Sequence, residues 1–270
     1  MEASMRSIDF LAANPVFTYD EFVGAAGGAK PNPNTMRNRL AGLVANGRII
    51  RIRRGLFATV PGGVQPSRAP VDPYLVASKV TDDATVAYHA ALQFHDRAYS
   101  HWTRFHYFTR RRVRAFSYRG NEFLPVLASK AVRNRSDFGG GIAKQQHAGG
   151  TVRVTTLERT MVDVLDTPEK AGGWEELWRS LESVEFFDLD AVIDYVTALG
   201  SALTAARVGF FLEQHREMLM VEEDHLGRLA RLGPNEPRYL DSRRRPGKFL
   251  SRWNLVVPDY VLRRRWDEVS

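Results

Sequence analysis

The 270-residue sequence contains no cysteine, and no apolar run approaches the roughly 20 residues that a membrane-spanning helix needs. Without cysteine, the chain can form no disulfide, no Cys-ligated zinc site and no iron–sulfur cluster, and it has no Cys nucleophile. The N-terminal stretch MEASMRSIDFLAANP lacks the basic and long apolar regions of a signal peptide. We therefore expect a cytoplasmic protein that does not enter a membrane.

Recognisable catalytic motifs are also missing, because the sequence has neither a Gly-x-x-x-x-Gly-Lys phosphate loop nor a Gly-x-Ser-x-Gly nucleophile elbow. Asp188 and Asp190 mimic the paired carboxylates of a metal-dependent nucleotidyltransferase, but an N-cap explains Asp188 better. Several histidines crowd one segment without the i, i+4 spacing of helical zinc ligands. These are His89, His95, His101 and His106. We expect no enzyme, no cofactor and no metal.

Positive charge is in excess and is unevenly spread. There are 38 Lys+Arg against 31 Asp+Glu, a formal net charge of +7, and the excess lies in residues 1–150. Such a balance favours a polyanionic partner, although a solvated surface would give the same composition. Residues 61–73 are rich in proline and glycine, which predicts a linker between a domain of residues 1–60 and a larger one of residues 74–270.

The first domain shows the pattern of three helices followed by two short strands. Thr18 and Glu21 form a capping-box pattern that begins the second helix. Asn34 is the expected N-cap of the third helix, and residues 48–59 alternate as two strands around a glycine. The expected buried stripe of the third helix is Met36, Leu40, Leu43 and Val44.

Three helices followed by a hairpin is the arrangement of a winged helix-turn-helix, in which the third helix enters the DNA major groove. Arg can pair with guanine and Asn with adenine, while basic residues of the wing contact phosphates or the minor groove. Some winged helices serve protein contacts instead, but the arginine-rich hairpin favours DNA. The predicted DNA-binding residues are Lys30, Asn32, Asn34, Thr35, Arg37, Asn38, Arg51, Arg53 and Arg54.

The second domain combines predicted strands, chiefly in residues 104–155, with later helices between 157 and 213. This order indicates an α+β domain with a mixed or antiparallel sheet flanked by helices. Arginine-rich runs could form a second basic surface for phosphates or for an acidic partner if they converge in space, and are otherwise solvated loops. The residues of this possible surface are Arg110, Arg111, Arg112, Arg114, Arg243, Arg244 and Arg245.

A set of segments stands in a distinctive order: residues 154–163 (VTTLERTMVD), 207–212 (RVGFFL), 239–247 (YLDSRRRPG) and 252–259 (RWNLVVPD). Together with the N-terminal region ending in Arg-Arg-Gly-Leu-Phe-Ala, this combination resembles the AbiEi family of antitoxins from type IV toxin–antitoxin systems. The resemblance implies that Glu158, Arg159, Asp163, Trp253 and Asn254 are determinants of the fold rather than contact residues.

The same resemblance implies a DNA-binding antitoxin and transcriptional autorepressor, with double-stranded promoter DNA carrying repeats as one partner. The other implied partner is a cognate nucleotidyltransferase-type toxin. Repeats in the DNA would be bound by a dimer or by cooperative binding of several copies. Alternatives from other classes are a Mg²⁺-dependent nuclease and a transcription regulator that senses a small ligand.

Overall fold

The computed structural model describes residues 2–26 and 32–266. Its first part contains the expected three helices and hairpin, together with a short strand that the sequence did not predict. The three strands form an antiparallel sheet of order β1-β3-β2. The elements are α1 (Glu2–Ala13), β1 (Val16–Thr18), α2 (Tyr19–Ala25), α3 (Pro33–Ala45), β2 (Ile49–Arg53) and β3 (Leu56–Thr59).

Side-chain caps fix where the second and third helices begin. The capping box of α2 is confirmed, since the Thr18 amide donates to Glu21 Oε2 at 2.7 Å and the Glu21 amide donates to Thr18 Oγ1 at 3.2 Å. The predicted N-cap of α3 is wrong by two residues. Asn32 is the cap, and its Oδ1 accepts from the Asn34 amide at 2.9 Å. Pro33 makes this start favourable, because its fixed φ and missing N–H suit the first position of a helix.

The core of this part is smaller than the apolar pattern suggested. Met36 and Leu40 of α3 are buried and Leu43 is half-buried against the same core, whereas Val44 is 39% exposed, so the predicted stripe is correct except for Val44. Phe17 of β1 is fully buried and stacks on the ring of Phe57 at 5.7 Å between centroids. The short strand β1 therefore supplies a central side chain of this core.

A six-stranded mixed sheet forms the centre of the second part. Its order is β6-β7-β5-β4-β9-β8, in which β5/β7 and β4/β9 are parallel and the other neighbours are antiparallel. The expectation of an α+β domain with a mixed sheet is confirmed. Its elements are α4 (Pro73–Ser78), β4 (Thr85–Val86), α5 (His89–Phe94), β5 (Arg104–Thr109), β6 (Phe116–Tyr118), β7 (Asn121–Leu127), α6 (Lys130–Arg133), β8 (Ile142–His147) and β9 (Gly150–Thr155).

Helices dominate the rest of the chain, and a small third sheet of order β10-β12-β11 follows them. Asp188 caps α9 by accepting from the Ala191 amide at 3.0 Å, as predicted. The helix α11 was not predicted. The elements are α7 (Leu157–Asp166), α8 (Trp174–Glu182), α9 (Leu189–Leu199), α10 (Ala202–Gln214), α11 (Glu223–Leu232), β10 (Arg238–Tyr239), β11 (Lys248–Leu250), β12 (Leu255–Val257) and α12 (Asp259–Leu262).

The two parts of the chain share a hydrophobic core. Leu56 and Ala58 of β3 belong to the same buried cluster as Val76 of α4. The connecting residues 60–72 contain neither helix nor strand, yet they are held in place. The guanidinium of Arg119, at the β6–β7 turn, donates to the carbonyls of Pro66, Ser67 and Ala69. The N-terminal part is thus docked on the second part rather than attached by a loose tether.

A buried ion pair explains two of the motif residues. Arg159 is fully buried, and its Nε lies 3.4 Å from Asp163 Oδ2 one helical turn later. Its Nη1 donates to the carbonyls of Phe138 and Gly140 at 2.8 and 2.6 Å. Burial raises the pKa of Asp163 to about 6, although Arg159 and a hydrogen bond from Tyr195 oppose the rise. The pair therefore joins α7 to residues 138–140 inside the fold.

The remaining motif segments meet around α10. Arg207 donates through Nε to the carbonyl of Leu240 at 2.9 Å and through Nη1 to that of Leu165 at 3.0 Å. A Cβ added to Gly209 would lie 2.1 Å from the ring of Trp253, which is itself buried. The absence of a side chain at Gly209 is therefore what lets the indole approach the helix this closely.

Candidate nucleic-acid interface

The outer face of α3 carries the predicted base-contacting residues. Asn34, Thr35, Arg37 and Asn38 are all exposed, and Arg37 Nη1 lies 3.5 Å from Asn34 Oδ1. The first turn of the helix is held against α2, because the Tyr19 hydroxyl donates to the Pro33 carbonyl at 3.4 Å. Polar side chains of this kind on a fixed helix can donate to and accept from base edges. The predicted residue Lys30 lies outside the described residues.

The β2–β3 hairpin presents two of its three arginines to solvent. Arg51 and Arg54 are exposed, but Arg53 is half-buried, with its guanidinium 4.7 Å from the ring centroid of Phe116 on β6. Arg53, a predicted DNA-binding residue, is therefore turned toward β6 rather than fully to solvent. A β-bulge between Arg51 and Arg53 interrupts the alternation of side chains along β2 and turns Arg53 toward Phe116 of β6.

A groove of about 1790 Å³ runs along one flank of α3, between the N-terminal part and the six-stranded sheet. Of the predicted DNA-binding residues, Arg37, Arg51, Arg53 and Arg54 line this groove, whereas Asn32, Asn34, Thr35 and Asn38 do not. The second part adds several basic residues from separate elements. The cationic lining residues are Arg37, Arg51, Arg53, Arg54, Lys79, Arg111, Lys144 and Arg153, and the acidic ones are Asp20, Glu21 and Asp82.

Two of the three carboxylates of the groove are paired with cations of the same groove. Lys79 Nζ lies 2.6 Å from Glu21 Oε1, which connects α4 to α2 across the two parts of the chain. Arg111 Nη2 lies 2.6 Å from Asp82 Oδ2, and Arg153 donates to the Asp82 carbonyl at 3.2 Å. Since cations outnumber carboxylates, the groove has a net positive charge that attracts a polyanion.

The predicted second basic surface is only partly assembled. Arg110 holds residues 133–138 in place, because its guanidinium donates to the carbonyls of Arg133 and Arg135 at 2.9 and 2.8 Å and lies 4.5 Å from the ring centroid of Phe138. Its neighbour Arg111 lines the groove. Arg112 and Arg114 are exposed and do not line it.

The C-terminal arginine run lies elsewhere. Arg243 and Arg244 are exposed in the segment between β10 and β11, and Arg245 stacks over Tyr260 at 5.0 Å. None of the three lines the groove. Of the two arginine runs, only Arg111 therefore joins the groove beside α3.

Sequence reasoning missed Lys79, Lys144 and Arg153, which are isolated basic residues outside any charge run. A signal for two of them was available. Lys144 and Arg153 are cross-strand partners in the β8–β9 hairpin, so their side chains lie on the same face. Pairing the alternating segments on either side of Ala148-Gly149 would have brought them together.

Histidines of the second part are structural rather than metal-binding in their geometry. His89 is fully buried, stacks on Trp102 at 3.9 Å, and its Nε2 lies 3.0 Å from Glu176 Oε1. Burial, with a smaller effect of the Lys170 charge, lowers the pKa of His106 to about 4. In the described ranges, no three His, Cys, Asp or Glu side chains are grouped so that they could hold a metal ion.

None of the helices within residues 2–26 and 32–266 has the length and hydropathy required to cross a bilayer.

No protein-family model matches the sequence, and no curated protein matches it. The fold is similar to the crystal structure of the RV2827C protein from Mycobacterium tuberculosis, with a TM-score of 0.56 over 97% of this chain and 93% of that chain. The sequence identity is 14%, so this likeness concerns the fold alone.

Proposed function

We propose that this protein is a double-stranded-DNA-binding antitoxin and transcriptional autorepressor of the AbiEi type. The observation that carries DNA binding is the basic groove along α3, to which both parts of the chain contribute cations. The antitoxin role rests on the motif resemblance. The proposed partners are promoter DNA with repeats and a nucleotidyltransferase-type toxin, in the cytoplasm.

In this proposal residues 1–60 form a winged helix-turn-helix. The order α1-β1-α2-α3-β2-β3, with a three-stranded sheet, supports it. The helices α2 and α3 would form the helix-turn-helix, and the β2–β3 hairpin would be the wing. Asn34, Arg37 and Asn38 would meet base edges in the major groove, since they are exposed on one helix.

Phosphate contacts would come from both sides of the groove. Arg54 on the wing and Lys144 with Arg153 on the β8–β9 hairpin are separated by the groove and all line it. A duplex backbone entering the groove would therefore meet cations of both domains. Such contacts supply affinity without sequence information and make binding salt-dependent.

The antitoxin role is supported by what the motif residues do. Arg159, Arg207 and Trp253 are buried and hold elements of the second part together, which fits motif residues that determine a fold. Repression at repeats would involve a dimer or cooperative binding of several copies. The test of this part is co-expression with the nucleotidyltransferase-type protein of the same operon: growth should be restored, and continued growth arrest at equal toxin levels would contradict the antitoxin role.

DNA binding is tested by fluorescence anisotropy with the protein's own upstream duplex and a scrambled duplex, at 50 and 200 mM salt. We expect a preference for the native duplex that persists at the higher salt. Arg37→Ala should reduce this preference, whereas Arg54→Ala should weaken both duplexes alike. Arg112→Ala is the matched control, because it removes an exposed arginine outside the groove. Unchanged affinity and preference in both groove variants would refute the proposal.

A further inference from the structure

The third sheet has one face that carries exposed aromatic side chains. Tyr239 of β10 and Phe249 of β11 are both register partners of Val256 in the central strand β12, so the three side chains lie on one face. Tyr239 is 42% and Phe249 is 47% exposed. Leu255 and Val257, which alternate with Val256, are buried on the opposite face. We call the exposed row of Tyr239, Val256 and Phe249 the aromatic face.

A basic segment is fixed at one end of this face. The connection from β10 to β11 crosses the end of β12, where a Cβ at Gly247 would lie 2.0 Å from the Val257 carbonyl oxygen. Arg245 of this connection is held over Tyr260. Arg243 and Arg244 are exposed and, with Arg245 and Lys248, outnumber Asp241 and Asp259 at this sheet end, so its net charge is positive.

We propose that the aromatic face, with Arg243 and Arg244, binds single-stranded nucleic acid at a site separate from the α3 groove. Exposed rings on a sheet stack on unpaired bases, and neighbouring arginines contact the phosphates. The strand spacing puts the two rings about 10 Å apart on either side of Val256, which leaves room for a base on each. This inference does not depend on the proposed antitoxin function.

A protein partner fits the same face less well. Its apolar part consists of two rings, each less than half exposed, and the half-buried Val256, whereas a stable protein interface covers about 800 Å² on each partner. The exposed charges of Arg243 and Arg244 at the sheet end are of one sign, as a phosphate backbone requires.

The test uses the full-length protein and two fluorescein-labelled 12-mers, oligo(dT) and oligo(U), in anisotropy titrations at low salt. Tyr239→Ala and Phe249→Ala should each weaken binding at least about fivefold, because each removes one stacking partner. Tyr239→Trp should retain binding. The Arg243→Ala/Arg244→Ala double variant should lower the salt slope by about 1.4, that is about 0.7 for each lost phosphate contact.

Two control variants distinguish this site from others. Phe186→Ala removes an exposed ring elsewhere (63% exposed) and should leave oligonucleotide binding unchanged. Arg54→Ala should also leave it unchanged, while weakening duplex binding. The proposal fails if neither 12-mer binds, if Tyr239→Ala and Phe249→Ala bind as the parent does, or if Arg54→Ala loses the single strand as well.

The two 12-mers separate the two sources of this ligand. Tighter binding of oligo(U) supports RNA, since only RNA offers the 2′-hydroxyl, and equal binding supports a platform for either strand type. Light scattering after gel filtration gives one more check. A dimer that Tyr239→Ala converts to a monomer would make the aromatic face an interface between copies and would overturn the proposal.

Discussion

Replacing Lys144 by alanine tests whether the second domain takes part in duplex binding. Lys144 is an exposed residue of β8, about 100 residues after the α3 helix, and it lines the groove beside its strand partner Arg153. Its removal should leave the fold intact, because exposed substitutions away from caps and ion pairs change stability little. If its ammonium neutralises one phosphate, the slope of log K against log salt should become less steep by about 0.9.

That slope fixes the size of the effect. Between 50 and 200 mM salt the advantage of the parent protein over Lys144→Ala should shrink about 3.5-fold, since a fourfold change in salt is raised to the power 0.9. The measurement is anisotropy with one duplex at four or more salt concentrations. Arg112→Ala should keep the parent slope. If Lys144→Ala also keeps the parent slope while Arg54→Ala reduces it, the duplex contacts only the N-terminal domain and the two-domain groove is wrong as a DNA site.

Three predictions concern stability. Gly209→Ala should lower the free energy of unfolding, measured in urea, by about 1–3 kcal/mol or more, because the added methyl group would overlap the Trp253 ring. Unchanged stability would mean that the indole has another position. Asn32→Ala should cost about 1 kcal/mol, measured by thermal melting, since the α3 cap is lost. His106 has a folded pKa of about 4, below its unfolded value, so its stabilising contribution is present above pH 6.5 and is lost as the pH falls toward 4. In urea unfolding, the free energy of unfolding should fall between pH 7 and pH 5 by about 2 kcal/mol less for His106→Phe than for the parent. An equal fall in both proteins would contradict a buried neutral imidazole at position 106.

The elements that the sequence predicted well have strong local signals. Thr18 and Glu21 mark the start of α2 through a reciprocal cap, and Asp188 does the same for α9. The region of residues 104–155, where strands were predicted, holds β5 to β9. In contrast, β1 has three residues and exists because it pairs with β3, about 40 residues later. Such a strand has no periodicity of its own to detect.

The candidate site was predictable only where its charges are clustered in sequence. Arg51 and Arg54 stand in an obvious basic hairpin, and both line the groove. The contribution of β8 and β9 depends on how the mixed sheet is ordered and on how the two domains dock, and neither follows from local pattern. The position of Arg53 depends on a bulge and on the nearby ring of Phe116, which is also a tertiary property.

The shared core changes how the N-terminal part should be regarded. Leu56 and Ala58 of its sheet are buried against α4 and the six-stranded sheet, so residues 1–60 in isolation would expose apolar surface to water. The Lys79–Glu21 ion pair and the stacking of Arg53 on Phe116 cross the same junction. Because the groove is formed at that junction, a change that separates the two domains would alter its charge and width together. Under the proposed function, a partner that binds near β8 and β9 would compete with a DNA duplex for the same cations, so that partner binding and DNA binding would oppose each other directly.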